Sequence, residues 1–393
     1  MPRNRVVAVN GRRAEVVALV NRGHTVLAAD DARAAIEAYE NALAIDPFEL
    51  QAHLGLARAY RRVGDEAASE RHRRDAITLA PIRSIPFRGA NPPIRILALL
   101  ASADANVDLE PLLPTDVFAI TLAHVDALAA NAELPRHDAI FNAIGDADAA
   151  APALAIAERI VARSDAPVVN HPAAVRQTRR DRNAARLRGR SSLRVPRIVR
   201  CERDRLRGAE GSAFLAAAGI FYPLLVRAPG FHNGRFFRYV ADATALRAAI
   251  DEFPADEIYA LEFVDTRDGR GHYLKYRALF IGNEILPVHA ALSTDWKVHF
   301  DAADLASSPL GSALDRDYRH HPRERIGERA YSALETLRKE LGLEYGGVDF
   351  GIDAGGNLVL FEANATMLPG KASERARLAV VTLLHDLLVP RAQ

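Results

Sequence analysis

The most constraining stretch of this 393-residue chain is Tyr345–Pro369, where two alternating runs flank Gly355-Gly356. Val348, Phe350 and Ile352 alternate with Gly347, Asp349, Gly351 and Asp353; beyond the glycines, Val359, Phe361 and Ala363 alternate with Leu360, Glu362 and Asn364. Period-two alternation is a strand signature. Gly-Gly is a favoured two-residue hairpin turn because both positions tolerate positive φ. A hairpin centred there puts Asp349 directly opposite Glu362, with Asn364 two residues further along the same face. Carboxylates facing each other across a ladder repel. The pattern therefore predicts compensation, which a hard divalent cation such as Mg2+ supplies through carboxylate and amide oxygens. Asp349, Glu362 and Asn364 are the expected metal ligands, against the alternative of a solvated strand face with incidental acids.

Upstream, the chain reads as three further pieces. Pro47 and Pro81 are 34 residues apart, as are Ala42 and Ala76, and each proline follows a helical pattern. Counting back places Gly23 and Ala57 where helices approach closely, with Tyr39, Leu56 and Tyr60 as the larger packing groups. The spacing resembles two tetratricopeptide units, although Arg73 stands at a normally apolar position. Two units are few for a free-standing solenoid, so they should pack on a neighbour, a peptide partner or another copy. Pro86, Gly89, Pro92 and Pro93 then mark a linker. From there strands at Ile94–Leu100, Val117–Leu122, Asp138–Ile144 and Pro167–Asn170, with a helix over Ala151–Ala162, read as a small parallel α/β domain. Beyond Gly211 the strands pair locally, as Arg270–Ile281 and Glu284–Ala291 do around Gly282-Asn283, which predicts an antiparallel α+β domain.

Composition narrows the class. With 49% hydrophobic and 26% charged residues the chain is neither disordered nor collagen-like. No apolar run approaches the roughly 18 residues of a membrane span, and the first residues lack a signal-peptide layout. One cysteine, Cys201, excludes an internal disulfide and a cysteine-based metal cluster, and points to the cytoplasm. The 51 basic and 50 acidic residues nearly cancel, but they are segregated. Residues 93–160 hold ten acids against three arginines, and residues 176–207 hold thirteen arginines against three acids. The arginine run lacks interleaved aromatics for base stacking, which argues against a nucleic-acid surface. Lysine is scarce, with only Lys275, Lys297, Lys339 and Lys371.

Asp349, Glu362 thirteen residues later, and Asn364 resemble the metal-binding hairpin of the ATP-grasp superfamily. Tyr222–Arg227 resembles the strand whose terminal cation contacts nucleotide phosphates, with Arg227 where lysine is commoner. Gly230–Gly234 resembles the glycine-containing loop over the phosphates, and Leu261–Val264 the hinge that holds adenine. Asn170–Arg182 resembles the entry segment, with Arg182 in place of another phosphate-contacting lysine. The resemblance covers about residues 93 to 388 and implies ATP and Mg2+ as cofactors. Gly230, Gly234, Arg182, Arg227, Glu262, Phe263, Val264 and Asp265 would contact nucleotide, with Asp268 as the other candidate at the ribose. Arg277 would face the phosphates or an acyl phosphate; Lys275 stands where many relatives carry an acid.

The segment from His289 to His299 gathers Trp296, Lys297 and two histidines, and is read as a substrate loop with Lys297 and His299 as polar contacts, Lys297 being the catalytic candidate, against a structural turn with a packed Trp296. A paired-histidine metal site there lacks a third ligand at suitable spacing. Lys371 is a candidate anion contact, and His232 either a surface or a substrate residue. No serine sits in a G-x-S-x-G elbow. Together these give an α+β chain with a tetratricopeptide-like helical domain (1–85), a linker (86–92), a pre-ATP-grasp α/β domain (93–200) and an ATP-grasp domain (201–393). The implied activity joins a carboxylate to an amine through an acyl phosphate. A phosphotransferase of different chemistry and a protein-binding scaffold with a vestigial ATP site remain the alternatives. Partners are small-molecule or peptide acids and amines, with a peptide or protein at the repeats.

Overall fold

In the computed structural model, residues 3–208, 210–231, 234–298, 305 and 308–389 are described. His232 and His299 fall outside them. The chain is mixed α+β and divides into two compact units, Met1–Ile85 with Thr121–Leu134, and Pro86–Ile120 with Pro135–Gln393.

The first unit is built on helices α1 (Arg3–Ala28), α2 (Ala32–Ile45), α3 (Leu50–Arg62) and α4 (Glu66–Leu79). Consecutive helices pack on each other, and local chemistry sets where they begin. Asp31, Glu49 and Asp65 accept from the Ala34, Gln51 and Ala68 amides at 2.9–3.0 Å, satisfying donors that a helix start leaves open. Features of α2 recur in α4 at the 34-residue spacing. The capping aspartates are Asp31 and Asp65, positive φ falls at Asp30 and Gly64, and Pro47 and Pro81 lie just past the helix ends. Strand β1 (Ile82–Ser84) closes the unit, pairing antiparallel with Thr121–Ala123 of β3 (Phe118–His124).

Tyr39 is the centre of this helical core. It is fully buried, and a Cβ on Gly23 or Gly55 would lie 2.4 or 2.3 Å from its ring. Gly55 thus makes a close approach of α3 to α2, in addition to the one expected at Ala57. At Ala57 α3 comes close to α4, where the Ala57 carbonyl accepts from Ser69 Oγ at 2.7 Å. Arg73 is held by Glu70 at 2.7 and 2.8 Å.

The second unit contains the sheets that build the cleft. Its parallel strands are β2 (Ile94–Leu100), β4 (Ala139–Asn142) and β5 (Val168–Val169), with α5 (Ala151–Val161) crossing between β4 and β5. Helices α6 (Pro172–Arg176) and α7 (Arg180–Leu187) lead to β6 (Leu193–Arg194) and β7 (Ile198–Glu202). After α8 (Arg203–Arg207) and α9 (Gly211–Ala217) come β8 (Leu224–Arg227), β9 (Phe237–Val240), α10 (Ala243–Asp251) and β10 (Glu257–Glu262). A four-stranded antiparallel sheet has the order β7-β10-β8-β9. The last sheet adds β11 (Tyr273–Ile281), β12 (Glu284–Ser293), β13 (Tyr345–Ile352) and β14 (Leu358–Asn364), in the order β12-β11-β13-β14-β6. Helices α11 (Pro309–His320), α12 (Pro322–Ile326), α13 (Glu328–Leu341) and α14 (Ser373–Leu388) complete the unit. Among the described residues no helix is long and apolar enough to cross a membrane.

The arginine run is mostly neutralised inside this fold. Arg176 and Arg200 reach Glu158 and Asp148 of the acidic stretch, at 3.0 and 3.1 Å. Others go elsewhere, as Arg190 does to Glu340 and Arg194 to Glu262. Cys201 is buried, and burial raises its thiol to about 11, so it is no nucleophile.

Gly55→Ala tests the Tyr39 contact. Helix propensity favours alanine by about 1 kcal/mol, whereas overpacking costs about 1–3 kcal/mol or more. A net loss of chemical-denaturation stability is expected, partly recovered by adding Tyr39→Leu. A net gain would remove Tyr39 as the limiting contact.

Candidate functional site

The hairpin forms, and at the acids its register is the expected one: Asp349 pairs with Glu362, and Gly347 with Asn364. The turn differs. The strands close at Ile352 and Leu358, so the loop runs through 353–357, with Asp353 accepting from the Gly355 and Asn357 amides at 2.9 Å. Of the glycine pair only Gly356 has positive φ, +74°. A register shift between Asp349 and Phe350 inserts Phe361 as an extra residue on β14, which offsets the longer loop.

That bulge is used. An extra residue leaves the ladder, so its carbonyl needs another donor. Arg180, first residue of α7, donates to Phe361 O at 2.8 Å while its other arm reaches Glu362 Oε1 at 2.8 Å. Asn364 Nδ2 adds a bond to Glu362 Oε1 at 3.1 Å.

The compensation expected from a metal is thus supplied by the chain. Across three strands, Arg277 pairs with Asp349 and Asp349 with Glu362, while His289 pairs with Arg277 on the far side. Arg277 holds Asp349 with two bonds, Nε to Oδ1 at 2.7 Å and Nη2 to Oδ2 at 2.9 Å. Lys275, two residues away and so on the same face, lies 3.2 Å from Oδ2. Burial alone would raise the Asp349 carboxyl, but Lys275 and Arg277 outweigh it and hold it well below the ordinary carboxylate range. Glu362 is likewise lowered against burial, by Arg180 and Arg227. His289 is pushed down to about 4 by burial and the Arg277 charge, so it is neutral at pH 7.

This row forms the floor of a cleft of about 510 Å³ in the second unit. Its apolar lining includes Ile198, Leu225, Phe237, Leu261, Phe263 and Trp296. Its cationic lining adds Arg180, Arg227 and Lys297 to Lys275 and Arg277. Arg227 ends β8, donates to Phe231 O at 2.6 Å, and is buried enough that desolvation lowers its pKa. Lys297 donates to Gly234 O at 2.7 Å, tying its loop to the glycine loop. Trp296 packs edge-on against Phe237, with ring centroids 5.1 Å apart.

The cleft therefore gathers Arg227, Gly234, Glu262, Phe263, Val264, Arg277, Lys297, Asp349, Glu362 and Asn364. Gly230 lines a narrow adjoining recess of about 60 Å³ that shares Arg180, Arg227, Glu362 and Asn364 with it. Two expected residues lie elsewhere. Arg182 is exposed on α7, and Arg180 takes the cleft position instead, since two residues on a helix reverse the facing. Asp265 is exposed and bound by Arg267 at 2.5 Å. Lys371 is 2.7 Å from the buried carboxylate of Asp315. Asp148 and Tyr259 went unnoticed in the sequence. Tyr259 donates to Asp148 at 2.6 Å in the small recess, where burial raises the Asp148 carboxyl.

The donor set of Asp349, Glu362 and Asn364 fits a hard cation by type, being two carboxylates and an amide oxygen. Asn364 Oδ1 accepts from Thr366 N and Oγ1 at 3.0 and 3.1 Å, and both Asp349 oxygens accept from cations. A divalent ion fits here as the partner of an incoming polyphosphate, which would draw Lys275 to itself and leave Arg277 on Asp349.

Neither a family model nor a curated protein matches the sequence. Solved structures do resemble the fold. An ATP-grasp RimK domain protein from Sphaerobacter thermophilus is 19% identical, over 75% of this chain and 99% of its own, with TM-score 0.46. A VanG D-Ala:D-Ser ligase from Enterococcus faecalis is 15% identical, over 76% and 100%, with TM-score 0.47. A D-alanine–D-alanine ligase from Bacillus anthracis complexed with ATP is 13% identical, over 76% and 97%, with TM-score 0.48.

Arg277→Met leaves buried Asp349 with Lys275 alone, and about 3 kcal/mol of stability should be lost at neutral pH. The native Asp349 carboxyl is depressed, so its contribution is present above the unfolded value near ~4 and lost as pH falls below it. In urea unfolding the gap between wild type and variant should narrow from pH 4 downwards. An equal gap at pH 7 and pH 2.5 would refute the pairing energy.

Proposed function

We propose that this chain is an ATP-dependent carboxylate–amine ligase of the ATP-grasp type. The observation that carries this reading is the charged row Arg277–Asp349–Glu362, which lines one cleft together with Arg180, Arg227, Lys275 and the apolar Leu225, Leu261 and Phe263. Cations beside oxygen ligands suit a polyphosphate, and an apolar slot suits a purine.

On this reading the base lies among Leu225, Leu261 and Phe263, near the segment 262–264. Glu262 helps by holding the slot together: its carboxylate accepts from Arg194 at 2.7 Å and from the Arg197 amide at 3.0 Å. Arg180 and Arg227 neutralise phosphate oxygens, and Lys297 positions the loop at Gly234. Asp349, Glu362 and Asn364 would hold Mg2+, which supplies further neutralisation of phosphate charge. Arg277 stays on Asp349 and faces the transferring phosphoryl group. A substrate carboxylate oxygen attacks the terminal phosphorus, the bond to the bridging oxygen breaks, and ADP leaves. An amine then attacks the acyl carbon, the carbon–oxygen bond to phosphate breaks, inorganic phosphate leaves and the amine proton passes to solvent. The chain's work in both steps is positioning and charge neutralisation.

The helical unit is read as a pair of tetratricopeptide repeats that recruit a peptide or partner, supported by the paired caps, positive-φ residues and prolines at 34-residue spacing.

The test is ADP release with Mg·ATP and panels of acids and amines, with hydroxylamine trapping of the acyl phosphate. Glu362→Gln should lower turnover at least about 100-fold with unchanged folding. Arg227→Ala should weaken nucleotide binding about 10-fold or more. Failure of the wild type to bind ATP with Mg2+ would sink the proposal, and turnover without a trappable intermediate would favour a phosphotransferase.

A further inference from the structure

The helical unit holds a convergence of ligand atoms that the cleft does not use. His53 lies on α3, while His72 and Asp75 lie three residues apart on one face of α4. His53 Nδ1 is 3.1 Å from His72 Nδ1 and 3.7 Å from Asp75 Oδ2, and the three ligand atoms all lie within 4.8 Å of one another.

The protons can be assigned. His53 Nε2 is 3.0 Å from the Pro47 carbonyl oxygen. A carbonyl only accepts, so Nε2 carries the hydrogen and neutral His53 presents a lone pair at Nδ1. That lone pair faces a second imidazole nitrogen and a carboxylate. A proton on His72 Nδ1 can satisfy His53, but the carboxylate still faces a lone pair. A single divalent cation satisfies all three atoms at once.

We propose that His53 Nδ1, His72 Nδ1 and the Asp75 carboxylate form a three-ligand site for a Zn2+-class cation. Zinc bonds of about 2.0–2.2 Å in a tetrahedron set ligand atoms about 3.3–3.5 Å apart. The separations of 3.1 and 3.7 Å bracket that value. The supporting shell is also present. Metal-bound histidines usually donate their other N–H to a carbonyl or carboxylate, as His53 does to Pro47. Tyr60 stacks on His72 with centroids 5.7 Å apart and planes 2° apart, and is itself fixed by donating to Glu40 at 2.6 Å. Two imidazoles with one carboxylate select zinc over magnesium or calcium, which prefer all-oxygen sets. His53 is buried and Asp75 is half-exposed, so the fourth position opens to solvent and would take water or a ligand from a docked partner. The site joins the turn after α2 to α3 and α4, and metal binding would lock the second helical hairpin.

The full chain, stripped with chelator, should take up one Zn2+ more than His53→Gln or His72→Gln does in equilibrium dialysis at micromolar free zinc. The same zinc should raise the wild-type melting temperature. Each variant should bind at that site at least about 100-fold more weakly, while Glu362→Gln retains the uptake. Co2+ titration provides a readout independent of variant folding: tetrahedral ligand-field absorption should appear with wild type and saturate at one equivalent. Absence of that absorption, or variants that fold and take up as much Zn2+ as wild type, overturns the proposal.

Discussion

The buried ion pair between Arg277 and Asp349 is the constraint around which the second unit is arranged. A carboxylate only 5% exposed cannot stay ionised without partners, and one removed partner costs more than the pair contributes. Three strands must therefore stay in register to keep Asp349 between Arg277 and Glu362. Both bulges of the sheet fall beside this row, one between Arg277 and Ala278 against β12 and one between Asp349 and Phe350 against β14. Bulges increase local twist and re-aim side chains, and they recur next to functional sites. Pro287 sits beside the first bulge, on the edge strand of the sheet, where a missing N–H is tolerated.

The second bulge couples the sheet to α7. Because Phe361 leaves the ladder, its carbonyl recruits Arg180, and the same guanidinium then neutralises Glu362. A lysine could not do both, since one ammonium cannot span a backbone oxygen and a carboxylate in a fixed fork. The bias towards arginine thus has a structural reason at this position. Elsewhere in the run from 176 to 207 arginines mostly tie elements together, as Arg203 does to the Phe253 carbonyl at 2.7 Å. Segregated charge in the sequence becomes paired charge in the fold.

Much of this was legible in advance, and the limits have physical causes. Period-two alternation gave the facing of Asp349 and Glu362, because strand faces depend only on parity. It could not give the turn: a five-residue loop plus a bulge yields the same pairing at the acids as a two-residue turn without one. Nor could it show that Lys275 and Arg277 neutralise Asp349, since that depends on β11 lying next to β13, a pairing between distant segments. Within 179–182, choosing Arg180 over Arg182 needs the phase of a short helix, which neighbouring charged residues do not reveal. The His53–His72–Asp75 convergence was readable in part, as His-x-x-Asp on one helical face, but its third member comes from another helix.

The two cations on Asp349 are not equivalent. Arg277 makes two near-parallel bonds at 2.7 and 2.9 Å through a rigid fork, so releasing it breaks both together. Lys275 makes one longer contact of 3.2 Å from a flexible stem. An anion entering the cleft can draw the ammonium across a short arc while Arg277 keeps the buried carboxylate charged and oriented. Arginine at 275 would freeze the face into a closed salt-bridge lattice; lysine leaves it one cation that can change partners. In a chain with four lysines, the placement of one here gives the cleft floor a movable charge beside a fixed one.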